Sequence, residues 1–135
     1  MRGMSIESTR EAITRYVTSN HSDLSMMAPD VIFTSMATGD EHRGVEALAG
    51  MLHYIYHVAF DAQAETKSMI FADEQAVLEA DFVGKHIGEF AGVPATGKTV
   101  RVPLCVVYDL KNGKITHGRV YFEVPAFMKQ VGAGV

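Results

Sequence analysis

Apolar positions recur at helical spacing through the first part of the chain and at strand spacing through the second. Ile6, Ile13, Tyr16 and Val17 follow a period near 3.6 and predict an amphipathic helix ending near Asn20. Its polar cap falls at Ser5 or Ser8, the latter at capping-box spacing from Glu11. Ser22-Asp23-Leu24 opens a short second helix that Pro29 terminates, because proline and the residue before it resist helical continuation. Val31 to Ser35 reads as a first strand and Thr38 to Gly44 as a polar turn. Val45, Leu48, Leu52, Ile55 and Ala59 then define the buried face of a longer helix.

Beyond that helix the period falls to two. Strands are predicted at Ala64 to Phe71, Ala76 to Glu89, Val100 to Leu110 and Ile115 to Val124. Asn112-Gly113 is the strongest hairpin signal, since both residues tolerate the positive φ of tight turns. Pro125 introduces a last short helix over Phe127 to Val131. Helices followed by hairpin-linked strands predict an α+β domain, one curved antiparallel sheet with helices on its concave face.

Composition narrows the class. With 135 residues, 47% hydrophobic and 21% charged, the chain fits one domain with a real core rather than a disordered polymer. The net charge is −4 and the basic residues are scattered, so neither nucleic acid nor an anionic membrane surface is an expected partner. No stretch approaches the roughly 20 apolar residues of a membrane span, and Met1-Arg2-Gly3-Met4 leads straight into the helical pattern. A soluble, cytoplasmic protein is expected. The single cysteine, Cys105, lies in the apolar run Val102 to Val107 and reads as a small buried hydrophobe. Among the eight methionines, Met26, Met27, Met36 and Met51 read as core filling.

Two chemical motifs are refused. Gly92-Val93-Pro94-Ala95-Thr96-Gly97-Lys98-Thr99 satisfies the phosphate-loop pattern, but that chemistry needs a helix directly after the loop. The β-branched run Val100 to Val107 follows instead, so the loop reads as a strand connection. His53 and His57 share one side of the long helix but lack a third ligand in sequence, so no metal is expected there.

Side-chain alternation along the last strand puts His117, Arg119, Tyr121 and Glu123 on one face and Gly118, Val120, Phe122 and Val124 on the other. Periodicity leaves open whether the polar face looks into a pocket or into water.

The segment Asp81 to Lys98, with His86-Ile87-Gly88-Glu89-Phe90-Ala91-Gly92-Val93-Pro94-Ala95-Thr96-Gly97-Lys98 at its centre, resembles the middle of SnoaL-like polyketide cyclases. The end of the chain is similar to the same family at Asn112-Gly113-Lys114-Ile115, Arg119-Val120-Tyr121-Phe122-Glu123 and Phe127 to Gly132. The resemblance covers about half the chain, from Phe82 onward. It implies a nuclear-transport-factor-like cone, a strongly bent sheet wrapped around N-terminal helices and enclosing one apolar pocket. It further implies a homo-oligomer, dimer or tetramer, and an enzyme without metal or organic cofactor that closes a ring by intramolecular aldol condensation of a hydrophobic polyketide ester.

What the resemblance implies for residues starts at Glu123, which matches the family's acid/base position, where Asp is usual. Glutamate is one methylene longer. A histidine that some members carry on the preceding strand is replaced by Val106. The resemblance favours the pocket-facing reading of the last strand, with Val120 and Phe122 outside. Arg119 and Tyr121 would then hold a carbonyl oxygen and stabilise a developing enolate, and His86, matching the family histidine, would orient water or substrate. His117, Tyr54, Phe33 and Met36 are further pocket candidates. The alternatives are a non-catalytic binding or assembly module of the same fold, and a hydrolase, isomerase or hydroxylase acting on a similar ligand.

Overall fold

The computed structural model describes residues 4–133, with side chains from residue 6 onward. The expectations at Met1 to Gly3 and for a cap at Ser5 lie outside what it describes. Helix α1 (Met4–Thr18) buries Ala12, Ile13, Tyr16 and Val17, the stripe that the 3.6-residue period predicts. Ser8 falls inside this helix rather than at its cap.

The short helix expected from Ser22 does not form. Asn20 and His21 both adopt positive φ, 55° and 63°, which ends α1, and side-chain oxygens capture the local amides in place of helical bonds. Ser19 Oγ accepts from the backbone N–H groups of Ser22 and Asp23, and Asp23 Oδ1 accepts from that of Ser25. Strand β1 (Met27–Ser35) starts earlier than expected and contains Pro29. The proline is accommodated because the pairing of β1 with its neighbour is irregular between Met27 and Ile32, where no ladder bond is asked of it. The polar stretch after β1 contains a short strand, β2 (Glu41–Arg43), paired antiparallel to it.

Helix α2 (Val45–His53) continues as a π-helical turn, Tyr54–Ala59, so the expected long helix is present with its last turn widened. The strands β3 (Phe60–Ala72), β4 (Gln75–His86), β5 (Thr99–Lys111) and β6 (Lys114–Phe122) follow, then α3 (Val124–Gln130). Asn112 and Gly113 take φ of 52° and 76° in the β5–β6 hairpin, as their sequence signal demands. The phosphate-loop look-alike is a connection between β4 and β5 that runs into a strand.

The sheet order is β2-β1-β6-β5-β4-β3, antiparallel except for the parallel pairing of β1 with β6. The architecture is therefore α+β with a mixed sheet. α1 packs on β3, β4 and β6, α2 on β1 and β2, and α3 on β5, all burying the face that carries Leu78, Ala80, Phe82, Val102, Leu104 and Tyr108.

At one end of this layer Phe60, Phe82, Phe90, Phe122 and Phe127 meet edge to face with centroids 5.0–5.7 Å apart. Such pairs contribute about 0.5–1.5 kcal/mol each beyond the area they bury. The cluster fixes α3 and the β4–β5 connection against the sheet.

Candidate functional site

Between the sheet and the helices lies a cavity of about 590 Å³, within the range that holds a drug-sized ligand. Its walls are largely apolar: Met51, Leu52, Ile55, Phe82, Phe90, Leu104, Val106, Val120, Phe122 and Val124. The buried part of the lining also carries Tyr16, His21, Tyr56 and Tyr108, the half-buried part Ser35 and His42, and the exposed part Ala37, Thr38, Asp40, Tyr54 and Ala91. The mouth is thus framed by the β1–β2 turn, the π-helical turn and the β4–β5 connection.

Each part of the mouth is held by its own backbone. In the β1–β2 turn, the N–H groups of Thr38 and Gly39 donate to Ser35 O, that of Ser35 donates to Asp40 O, and Met36 N–H donates to Val120 O on β6. Gly39 at φ 82° makes the tight geometry possible. Asp40 therefore projects from a pinned turn and is the one carboxylate in the lining among the described residues. Tyr54 Oη donates to the carbonyl of Glu89 and ties the π-helical turn to the opposite connection.

At the closed end, the imidazole of His21 lies edge-on to Tyr16 at 4.8 Å between ring centroids and stacks on Tyr56 at 5.1 Å. Its Nδ1 is buried without a hydrogen-bond partner. Burial lowers its pKa to about 4, so the ring is neutral near pH 7. Burial, with Tyr108 and Tyr56 as neighbours, raises the Tyr16 phenol, and burial also raises Tyr56 and Tyr108. The three hydroxyls stay protonated at any working pH.

The orientation expected for the last strand is reversed. Val120, Phe122 and Val124 line the cavity, whereas Arg119, Tyr121 and His117 lie on the opposite face of β6. Arg119 Nη1 donates to Asp109 Oδ2 at 2.6 Å, and His117 Nε2 lies 3.0 Å from Thr34 Oγ1. Tyr121 is 45% exposed, and Glu123, also exposed, sits where the chain enters α3. The alternation was read correctly, but the helices cover the apolar side, and a cavity for an apolar ligand is walled by the same residue types as a core. Cys105 likewise points outward, half-buried, between inward Leu104 and Val106.

Among the other candidates, Tyr54 lines the cavity. Phe33 is buried behind it, its ring against those of Tyr16 and Tyr108, and Met36 is 41% exposed and outside the lining. His86 is fully buried and serves the β4–β5 connection: its Nδ1 accepts from Thr96 N–H at 3.3 Å and lies 3.0 Å from Thr96 Oγ1. An accepting Nδ1 places the proton on Nε2, which is buried without a partner, in a ring that lies between Phe60 and Phe127. His86 therefore lies outside the cavity lining and fixes the β4–β5 connection through Thr96. His53 and His57 border a smaller cleft of about 180 Å³ on the other side of His21. Among the described residues no group of three or more His, Cys, Asp or Glu is arranged to hold a metal ion, and no helix is long and apolar enough to cross a membrane.

The polar residues that sequence reasoning missed include Tyr16, His21, Asp40, His42, Tyr56 and Tyr108. A phenol in an apolar stripe was the available signal, since a buried hydroxyl needs a partner that the stripe does not supply. For Asp40, inside a polar turn, there was none.

The family model of SnoaL-like polyketide cyclases matches residues 11–131. The chain belongs to this family. Similar solved structures include a candidate SnoaL-like polyketide cyclase from Jannaschia sp. CCS1, with a TM-score of 0.85 at 18% identity over 97% of this chain and 96% of that one. IdmH, a candidate polyketide cyclase from Streptomyces antibioticus, gives 0.77 at 20% identity over 93% and 99%. AclR, a candidate hydroxylase from Streptomyces galilaeus, gives 0.76 at 23% identity over 95% and 83%. At these identities the likeness establishes the shared nuclear-transport-factor-like fold. No curated protein sequence matches the chain.

Proposed function

We propose, on the premise of membership in the SnoaL-like polyketide cyclase family, that the chain is an acid/base enzyme acting on a hydrophobic carbonyl compound held in the cavity, with Asp40 as the group that takes the proton. The observation that carries this reading is the lining itself, an apolar chamber with a single carboxylate at its mouth. Asp40 removes a proton from the carbon next to a carbonyl, and the electron pair moves onto that carbonyl's oxygen as an enolate. The enolate carbon attacks a second carbonyl of the same molecule, forming the ring bond, and the new alkoxide takes the proton back from Asp40. No step calls for a metal or organic cofactor. Apolar walls fold the substrate into the reactive geometry and keep competing water out.

The family resemblance carries the acid/base role to Glu123 instead. The cavity geometry favours Asp40, because Val124 and not Glu123 belongs to the lining. Comparing Asp40→Asn with Glu123→Gln on polycarbonyl esters decides between them. The expected result is a loss in kcat of about 10²–10⁴-fold for Asp40→Asn, the usual range for a positioned acid/base, and near-normal turnover for Glu123→Gln. The reverse pattern returns the role to Glu123. A second reading, a binding module without turnover, is favoured by the solvent exposure of Asp40, and ligand retention with no conversion of any substrate would support it.

A further inference from the structure

Four polar groups gather at the closed end of the cavity and are left without protein partners. Among the described residues, the hydroxyls of Tyr16, Tyr56 and Tyr108 make no hydrogen bond, yet they are not among the side-chain atoms sealed away unpartnered, so their oxygens keep access to open space. All three residues are themselves buried, at 1%, 7% and 1% exposure, and all three line this cavity. His21 Nδ1 is sealed and unpartnered, in a ring that touches both Tyr16 and Tyr56. The rings of Tyr16 and Tyr108 are 6.2 Å apart between centroids, and the three phenols line one cavity close enough to influence one another electrostatically.

Buried hydroxyls without partners cost free energy in the folded chain, and nearly all such groups in proteins are satisfied by something. Phenols held in their neutral form are donors first. The complement of several neighbouring donors in an apolar chamber is an oxygen that carries negative charge or lone pairs.

We infer that the closed end is a binding site for the oxygen of a ligand's carbonyl, enol or phenol, recognised by the hydroxyls of Tyr16, Tyr56 and Tyr108 beside His21. The ligand class is a flat, mostly hydrocarbon ring system with one oxygenated end, which enters oxygen first and leaves its other end at the mouth near Asp40. This deepens the proposed reaction by naming how the same cavity anchors the far end of its ligand while the end near Asp40 reacts, and binding can be measured where turnover is zero.

The test compares 2-naphthol with 2-methylnaphthalene, nearly equal in shape and differing in the oxygen, by calorimetry or ligand fluorescence. The wild-type chain is expected to bind 2-naphthol about tenfold more tightly or better, the scale of one buried hydrogen bond left unmade. Tyr16→Phe combined with Tyr108→Phe is expected to abolish that preference while 2-methylnaphthalene still binds, which also reports that the variant is folded. Asp40→Asn is expected to keep the preference even where it stops turnover, so a failure of the catalytic reading is told apart from a failure of this one. Equal affinity of the two probes for the wild-type chain overturns the inference. So does a preference that survives the double variant, or one that vanishes in Asp40→Asn alone.

Discussion

The imidazole of His21 stacks on the phenol ring of Tyr56 with planes only 16° from parallel, in a residue whose backbone is left-handed at φ 63°. Histidine is among the few side chains that visit that conformation readily, and here its ring is held between Tyr56 and the edge of Tyr16. The pairing ties the end of α1 to the π-helical turn and closes the deep part of the cavity.

Stability should fall on mild acidification through His21. Its pKa, near 6.5 in the unfolded chain, drops to about 4 in the fold, so below pH 6.5 the unfolded state binds the proton first. His21's contribution is complete above pH 6.5, is lost progressively as pH falls to about 4, and is constant below that. The total loss is on the order of 3 kcal/mol. Urea midpoints from pH 7.5 to 4 should show this slope in the wild-type chain and a shallower one in His21→Phe.

Gly118 has no room for a side chain. A Cβ there would stand 2.8 Å from the ring of Phe33, itself packed against Tyr16 and Tyr108. Gly118→Ala should destabilise by about 1–3 kcal/mol, the usual range for overpacking a filled core. The displaced Phe33 should also weaken 2-naphthol binding. Unchanged denaturation and unchanged binding would show that the ring moves freely.

His86 should behave as a positioning residue. His86→Leu removes the acceptor for Thr96 N–H and should cost about 1–3 kcal/mol of stability. Because Phe90 and Ala91 belong to the connection it fixes, KM should rise more than kcat falls. A collapse of kcat at unchanged KM would instead mark His86 as catalytic.

The outer-face pair Arg119–Asp109 should matter little to the cavity. Hydrogen bonds from Arg119 hold the Asp109 carboxyl below its ordinary pKa. The pair's contribution is therefore present above the usual carboxylate range and lost as pH falls through the lowered value. Arg119→Ala should change stability by less than about 1 kcal/mol, as for other partly exposed pairs, and leave probe affinity within about twofold. A large loss of binding would mean that this face communicates with the cavity.

Much of the architecture was legible in the residues themselves. The period of Ile13, Tyr16 and Val17 gave α1, the alternation from Ala76 to Phe122 gave the last three strands, and Asn112-Gly113 gave their hairpin, because these signals are local sterics and local burial. The same locality exposed the false phosphate loop, since Val100 to Val107 is poor helix material. The parallel pairing of β1 with β6 and the tolerance of Pro29 could not be read this way. They depend on which distant strand lies alongside.

The sequence by itself determined which side chains of the last strand travel together; only the tertiary structure decided which set meets the cavity. Alternation fixes relative facing, but the absolute choice belongs to the helices that cover one side of the sheet. Here they cover Val120 and Phe122, leaving Arg119 and Tyr121 outside. The polar groups of the chamber come instead from α1, the residues just after it, β1, the β1–β2 turn, β2, the π-helical turn and β5. Packing brings Tyr16, His21, Asp40, Tyr56 and Tyr108 to one cavity from segments up to 92 positions apart, and no local pattern encodes that meeting.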